Sequence, residues 1–546
     1  MNLAGLFKTV GVVFGGILVA GGIGLKWGIF PIVVENMILE QIKLSPDNTE
    51  IWDTWIEPTA QLPVYMKFTF LNVTNPEEIK DGEKPIVNEV GPFAYREVRR
   101  KDGVTIMDDS ISYGSYISYE LDENESCPSC TEDTMITVIN PALAGIVTLI
   151  EDLAGDIEID LGYGPQTVAS LILSIIDAAI TERHGEYEDD LFTTETANKL
   201  IFEGYEPGVL KFVLYLVNAI EETPEEILFP VEDLPPIEIP DIIADGKFAF
   251  FKGKNGTADN GWYKINSGIY DISKYQKIQE YNGLDRLPES WWGTLASTPS
   301  ANRSGVTGYC HELVGTDGTQ YPPFVSMDND IWLFSSDLCR SIYLSFYEEH
   351  DMDGINTYQF RVKKEVLSFD NPDNACFCPN VEECVEVTED KEEWDFSNCT
   401  HCKNGMLNLM GCQGAPVIIS LPHFLDADQD VVDAIQGMNP NPDLHTTFLN
   451  IEPLTGVSLD AHKRIQVNVP LKQNDAMTLL KNVREAIFPV VWVDEGATLD
   501  GENLDKLKAQ LVTPFKAVDI GVGFMIGLGA IIIIVISLIS LLCGKK

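Results

Sequence analysis

Two long apolar runs, one near each end of the chain, constrain the fold more than any other feature. Thr9 to Leu25 carries no charge and is flanked by Lys8 and Lys26, and apolar character resumes from Trp27 to Val34. Ile520 to Cys543 gives 24 residues without a charge, including four consecutive isoleucines from Ile531 to Ile534. At about 1.5 Å per residue the second run crosses a hydrocarbon layer with room to tilt. The first is at the short end for a span, but Lys26 can snorkel to the interface. A cleaved signal peptide is the rival for the first run. Its apolar core is normally shorter, and no small-residue cleavage site follows, since Lys26-Trp27 and Pro31 come next. A retained anchor is therefore expected. Lys8 at one end and Lys545-Lys546 at the other place both termini in the cytosol by the positive-inside tendency. The expected organisation is a hairpin: tail 1–8, span 9–34, an extracellular or luminal domain 35–519, span 520–543 and tail 544–546.

All 84 acidic residues lie in that large loop, and the chain as a whole carries a formal net charge of −47. Such a polyanion repels phosphate backbones, which sets nucleic-acid binding aside. Most of these acids read as solvated faces. Ten of the eleven cysteines fall between Cys127 and Cys412, and the same loop carries five N-glycosylation sequons, at Asn72, Asn124, Asn255, Asn302 and Asn398. Crowded cysteines beside sequons point to an oxidising lumen and to disulfides. Cys127-Pro-Ser-Cys130 and Cys399-Thr-His-Cys402 have the spacing of zinc half-sites, but some 270 residues separate them. Bridges fit the compartment better than zinc. Cys543, at the end of the second span, is a candidate for S-acylation.

Inside the loop the hydrophobic period changes. Met66 to Val73 and similar short runs, broken by Asn75-Pro76 and Gly91-Pro92, read as strands and turns. After the Asn140-Pro141 start signal, Leu143, Ile146, Val147 and Ile150 take helical spacing. Val168, Leu171, Ile172, Ile175 and Ile176 repeat it after Gly164-Pro165, as do Val213, Leu216, Val217 and Ile220. A helical insert over 141–229 is expected within a β-rich chain, whose strand signals resume from Phe248 to Trp492. The block 310–412 holds most of the cysteines, and Val417-Ile418-Ile419 beyond it is β-prone.

Few motifs carry chemistry. Asp426, Asp428 and Asp430 open like a calcium loop, but its glycine position holds Val431 and its twelfth position Gly437, so that reading fails. No nucleophile elbow, phosphate loop or zinc-protease helix occurs, no cofactor is implied, and nothing argues for an enzyme. His423 beside Phe424 reads as a satisfied core or turn residue. Gly11 with Gly15, and Gly523 with Gly527, suit close helix contact, either between the two spans or between copies in a homo-oligomer.

Several segments together resemble the class B scavenger receptor family. They are Asn75-Pro76-Glu77-Glu78, Gly91-Pro92-Phe93 with Tyr95-Arg96, Thr257-Ala258-Asp259, and Phe334 through Tyr343 with Asp337, Cys339 and Arg340. Asn371-Pro372 with Cys376-Phe377-Cys378, Ser420-Leu421-Pro422-His423-Phe424, and Asn450-Ile451-Glu452-Pro453-Leu454-Thr455-Gly456 complete the set. The resemblance runs in order over nearly the whole chain, spans included, and is weakest from about Ala142 to Pro230. It implies a two-span membrane protein with an α+β ectodomain: an antiparallel β-barrel core, a helical-bundle apex and an internal apolar tunnel toward the bilayer. It also implies bridges Cys310–Cys376 and Cys339–Cys412, with Cys378 joined to Cys384 or Cys402. The chain departs from the family pattern by four extra luminal cysteines, leaving Cys127–Cys130 and one further pair, which involves Cys399, to be placed.

The function implied is a plasma-membrane glycoprotein, or one of endosomal or lysosomal membranes, that binds lipids such as fatty acids or sterols and lipoprotein-like particles. Ligand-binding residues are not identified by the sequence. An intracellular sorting receptor for a protein partner is one alternative, although the tail Gly544-Lys545-Lys546 lacks an acidic dileucine signal. A two-span channel subunit is another, although Ile531 to Leu542 offers only Ser537 and Ser540 to line a pore. Family members that hold anionic particles use lysines at the apex. Here the insert carries 18 acids against Arg183, Lys199 and Lys211. Tags on both termini are expected to become accessible only after permeabilisation, and glycosidase treatment is expected to lower the mass of the intact chain. An exposed C-terminal tag, or an unshifted mass, would reject the hairpin.

Overall fold

The structure is a computed structural model that describes residues 3–57, 62–160, 165–222, 243, 245–257, 261–292, 309–378, 402–414, 416–499 and 501–543. Thirteen strands form one sheet: β1 Val64–Val73, β2 Val87–Met107, β3 Ser110–Leu121, β4 Trp262–Asn266, β5 Ile278–Tyr281, β6 Ile331–Ser335 and β7 Arg340–Met352. The remaining six are β8 Ile355–Arg361, β9 Met406–Asn408, β10 Ile418–Ser420, β11 Phe448–Ile451, β12 Ser458–Leu471 and β13 Ala486–Thr498. The order is β6-β7-β8-β11-β12-β13-β1-β2-β3-β4-β5, with β10 added beside β12 and β9 beside β10. All pairs are antiparallel. The longest ladders run from Asp460↔Thr498 to Leu471↔Ala486 and from Tyr95↔Leu121 to Met107↔Ser110.

An open sheet of this size would leave two strand edges with unpaired backbone groups. Here a short segment joins them. Gly315 accepts a hydrogen bond from the Ile278 N–H of β5 (2.9 Å), and Thr316 exchanges bonds with Trp332 and Phe334 of β6 (3.2 and 2.9 Å). The sheet thereby closes into a barrel. Gly315 sits at φ +95°, and a β-carbon there would run into the Trp332 carbonyl, so the closure depends on glycine.

The helical insert caps one end of the barrel. The first span comes first in the chain as α1 Leu3–Gly24 and α2 Phe30–Gln41; the insert then supplies α3 Pro141–Ala154, α4 Val168–Ile180 and α5 Gly208–Glu222. Asn140 caps α3 by accepting the Leu143 N–H (3.2 Å). Helix α4 begins at Val168, capped by Thr167, because Pro165 belongs to a short two-strand turn with 158–160. This places its start a few residues beyond the Gly164-Pro165 signal. A two-stranded ladder, Met135↔Thr196 to Ile139↔Phe192, ties α3 to the segment leading into α5. Asp177 of α4 accepts the Thr478 N–H (2.7 Å), and Glu151 of α3 accepts from Asn474 (2.6 Å), so the apex is pinned to the β12–β13 connection.

At the opposite end the two spans form a stem. A π-helical turn, Leu25–Ile29, joins α1 to α2, so helical geometry continues past Val34 to Gln41. The last helix, α6 Val512–Cys543, runs antiparallel to α1. Gly11 and Gly15 face α6, and Gly15 lies against the backbone of Gly529. Gly523 and Gly527 meet nothing, which corrects the expected contact between spans at those two positions; Gly529 takes their role. Lys26 pairs with Asp519 (2.7 Å), and Phe30 meets Phe515 edge to face at 5.1 Å. Above them Val34, Ile38 and Ile42 pack with Ile272 and Leu454 of the ectodomain, so the barrel rests on the stem.

Among the described residues, four disulfides join Cys127–Cys130, Cys310–Cys376, Cys339–Cys412 and Cys378–Cys402. Of the two alternatives for Cys378, the structure holds Cys402; Cys384 and Cys399 lie outside the described residues. Replacing Gly315 by alanine is expected to cost more than about 2 kcal/mol, by strain at positive φ and by loss of the closing bonds. Chemical denaturation of the purified protein checks this; an unchanged midpoint would contradict the closure.

Candidate binding interior of the barrel

Antiparallel register decides which side chains share the inner wall. Met66 of β1 lies opposite both Tyr95 of β2 and Glu495 of β13, and Glu495 lies opposite Lys463 of β12. Because strand side chains alternate, Tyr95, Glu97, Arg99 and Lys101 project from one face of β2. Toward the apex this wall is aromatic: Phe68, Tyr95 and Phe202 meet edge to face at 5.0–6.1 Å. On the other side of Arg99, the Lys101 ammonium sits over Trp55 and Tyr113 (4.8 and 5.2 Å) and donates to the Trp55 carbonyl (2.9 Å). Burial pushes Lys101 down to about 8.

Between these two aromatic zones lies a girdle of charge. Arg99 bridges Glu97 (2.5 Å) and Glu495, and Lys463 bridges Glu495 and Asp337 (2.7 Å). Burial raises Glu97 well above the ordinary carboxylate range, against the pull of Arg99. Glu495 is desolvated too, but Lys463 and Arg99 together hold it well below that range. Glu97 is wholly buried, and its Oε1 has no hydrogen-bond partner among the described residues.

Desolvation is the largest single influence on Arg99, Lys463 and Glu495. Yet their side chains keep 23, 26 and 14 % of their surface accessible. They project from the faces of β2, β12 and β13 that share the wall with Met66 and Tyr95. Beside Lys463, a cavity of about 30 Å³ lies among Leu338, Ile342, Val362, Ile419 and Ile465. That is room for about one or two waters and far short of an acyl chain.

Histidines form separate sites on the opposite face of the wall. His423 is buried, accepts the Asn439 N–H at Nδ1 (3.1 Å) and meets Glu89 through Nε2 (2.9 Å). It stacks on His445 at 4.4 Å, and Trp492 also donates to Glu89 (2.7 Å). Burial, aided by His423, pushes His445 down to about 4. These bonds give His423 the satisfied role read from the sequence. His462 meets Asp494 (2.8 Å) and Asp460 (3.5 Å); burial opposes its charge, but the two carboxylates overcome that and raise it to about 9.

The remaining candidates are dispersed. Asn124 and Asn255 are exposed, Asn255 also accepting the Tyr119 N–H (2.9 Å), whereas Asn72 is half-buried and accepts the Thr137 N–H (2.9 Å). Asn302 and Asn398 lie outside the described residues. Cys543 is the final residue of α6. Asp428 accepts from the Asn404 backbone and side chain (both 3.1 Å), and Asp430 pairs with Lys403 (3.0 Å), so these acids serve loop structure. The girdle itself was not read from the sequence. Alternation in Tyr95-Arg96-Glu97-Val98-Arg99-Arg100-Lys101 contained it, but the pattern does not say which set faces inward.

A family profile described as the CD36 family matches residues 13–540. The chain is 32% identical to human lysosome membrane protein 2 over 510 residues, covering 93% of this chain and 89% of that protein. To the rat protein of the same name it is 32% identical over 484 residues, covering 88% and 83%. To sensory neuron membrane protein 2 of Anopheles gambiae it is 28% identical over 552 residues, covering 95% and 90%.

A raised histidine contributes stability fully below its unfolded value near 6.5 and loses it as pH rises through about 9. The His462 contribution is of order 3 kcal/mol. His462→Gln is expected to remove that decline, so wild type and variant converge in stability above pH 9.5 and differ most near pH 6. Denaturation midpoints measured across this range check it, and parallel curves would contradict it.

Proposed function

Because the chain belongs to the CD36 family, we propose that this two-span membrane protein takes lipid from a carrier and passes it through its barrel to the bilayer. The carrier is met at the cell surface or in an endosomal or lysosomal lumen. The observation that carries this reading is the inner wall whose charged groups are desolvated and yet accessible. A continuous stem supports it as well, since Ile272 and Leu454 pack on Val34 and Ile38 directly above the spans. The driving force is transfer of apolar surface from water into the barrel, at ~25 cal/mol per Å². Passage of a chain requires the interior to widen beyond the cavity beside Lys463. No bond is made or broken.

The apex limits which carriers dock. Lys199 pairs with Glu195 (2.9 Å) and Lys211 with Glu206 (2.7 Å), so two of its three cations are already neutralised among many acids. At physiological salt, charges act over about 8 Å, and acids this dense share one field. Neutral carriers, cationic partners or calcium-bridged ligands suit it better than polyanionic particles. A channel role fits less well, because the Ser540 hydroxyl of α6 is spent on the Ile536 carbonyl (2.8 Å). Reconstituted protein is expected to speed transfer of a fluorescent sterol or acyl lipid from a neutral emulsion to liposomes. Met66→Trp, which fills the inner wall, is expected to lower that rate about tenfold or more, a barrier change of about 1.4 kcal/mol. Transfer no faster than from empty liposomes would reject the reading.

A further inference from the structure

The girdle has an unbalanced inventory of charge and of hydrogen-bond donors. Three carboxylates, Glu97, Glu495 and Asp337, share two cations, Arg99 and Lys463. The guanidinium of Arg99 is directed at Glu97 Oε2 and Glu495, and the ammonium of Lys463 at Glu495 and Asp337. Glu97 Oε1 is left wholly buried with no donor among the described residues. Such an atom normally costs stability, and native interiors rarely keep one without a use. It stands in the inner wall at the level where β2 faces Tyr119 of β3 and Val64 of β1, between the two aromatic zones. An amphiphile moving along the barrel must carry its polar head past this level.

We propose that Glu97 Oε1 is the atom that holds the hydroxyl head of a neutral long-chain amphiphile inside the barrel, and that the girdle discriminates against lipids with a carboxylate head. The proposal rests on the reading that lipid passes through the barrel, and adds the chemical class. A hydroxyl complements Glu97 in either protonation state, donating to the anion and accepting from the neutral acid. A carboxylate head adds a further acid beside Glu97 and Glu495, two carboxylates already withdrawn from water that share the one guanidinium of Arg99. Lys101 does not rescue it, because its ammonium is engaged by the Trp55 carbonyl and by the faces of Trp55 and Tyr113. Glu97 is thus a specificity determinant and not a structural ion-pair member alone.

The test uses the full chain in nanodiscs, loaded with 1-hexadecanol or hexadecanoate, two probes of equal chain length. Retained probe is counted by mass spectrometry after gel filtration. Wild type is expected to favour the alcohol by ~10-fold or more, equivalent to one well-placed polar interaction. Glu97→Gln, which keeps the shape and removes the charge, is expected to bring the ratio near unity by admitting the acid. Lys463→Met, which makes the girdle more negative, is expected to hold or widen the preference. Equal or better retention of hexadecanoate by wild type overturns the proposal and leaves lipid passage standing. An unchanged ratio in Glu97→Gln also overturns it. Retention of neither probe by wild type overturns the passage reading and this inference with it. The wild-type ratio decides even if a variant does not fold.

Discussion

The interior of this protein exists because two strand edges are joined. Without the bonds from Gly315 and Thr316 to β5 and β6, the thirteen strands would form an open twisted sheet with exposed edges. Closure gives the sheet an inside, and the inside changes the meaning of every inward side chain. Glu97, Arg99, Lys463 and Glu495 would be ordinary surface charges on an open sheet. Within the barrel they are desolvated, and only mutual pairing makes them tolerable. A wall built from leucine and valine would be cheaper, so the retention of charge at this level points to use. Aromatic zones flank this level of the wall on either side.

The second constraint is the stem. Two helices leave the bilayer together, locked by Lys26 with Asp519 and by Phe30 with Phe515, and α2 continues upward into contact with the ectodomain. Close approach of α1 and α6 relies on Gly15 and Gly529, where any side chain would separate the backbones. The barrel therefore has a defined orientation, with the acidic helical apex at one end and the membrane at the other.

Much of this was legible in the sequence. Uncharged runs of spanning length gave the hairpin, and a change of period from two to 3.6 at Asn140-Pro141 located the apical helices. Motifs carried the family, and with it the pairing of Cys310 with Cys376 and Cys339 with Cys412. What stayed hidden has physical causes. Gly523 and Gly527 carry the same spacing as Gly11 and Gly15, but the facing of a helix depends on its partner's phase, and Gly529 proved the close contact. The girdle hid for a similar reason. In β2 the charged and apolar positions alternate, and the ordinary expectation turns Glu97 and Arg99 outward and Val98 inward. The barrel does the reverse, leaving Val98 exposed. Its five members also come from β2, the β6–β7 turn, β12 and β13, brought together by register alone.

The central claim is that lipid occupies the inner wall at the level of the girdle. It is tested most directly by a photoreactive amino acid placed at Met66, which faces inward between Tyr95 and Glu495, with its outward neighbour Lys67 as control. After illumination of the full chain in a lipid bilayer, mass spectrometry should find lipid adducts at position 66 and essentially none at position 67. Adducts at neither position, or equally at both, would contradict the account.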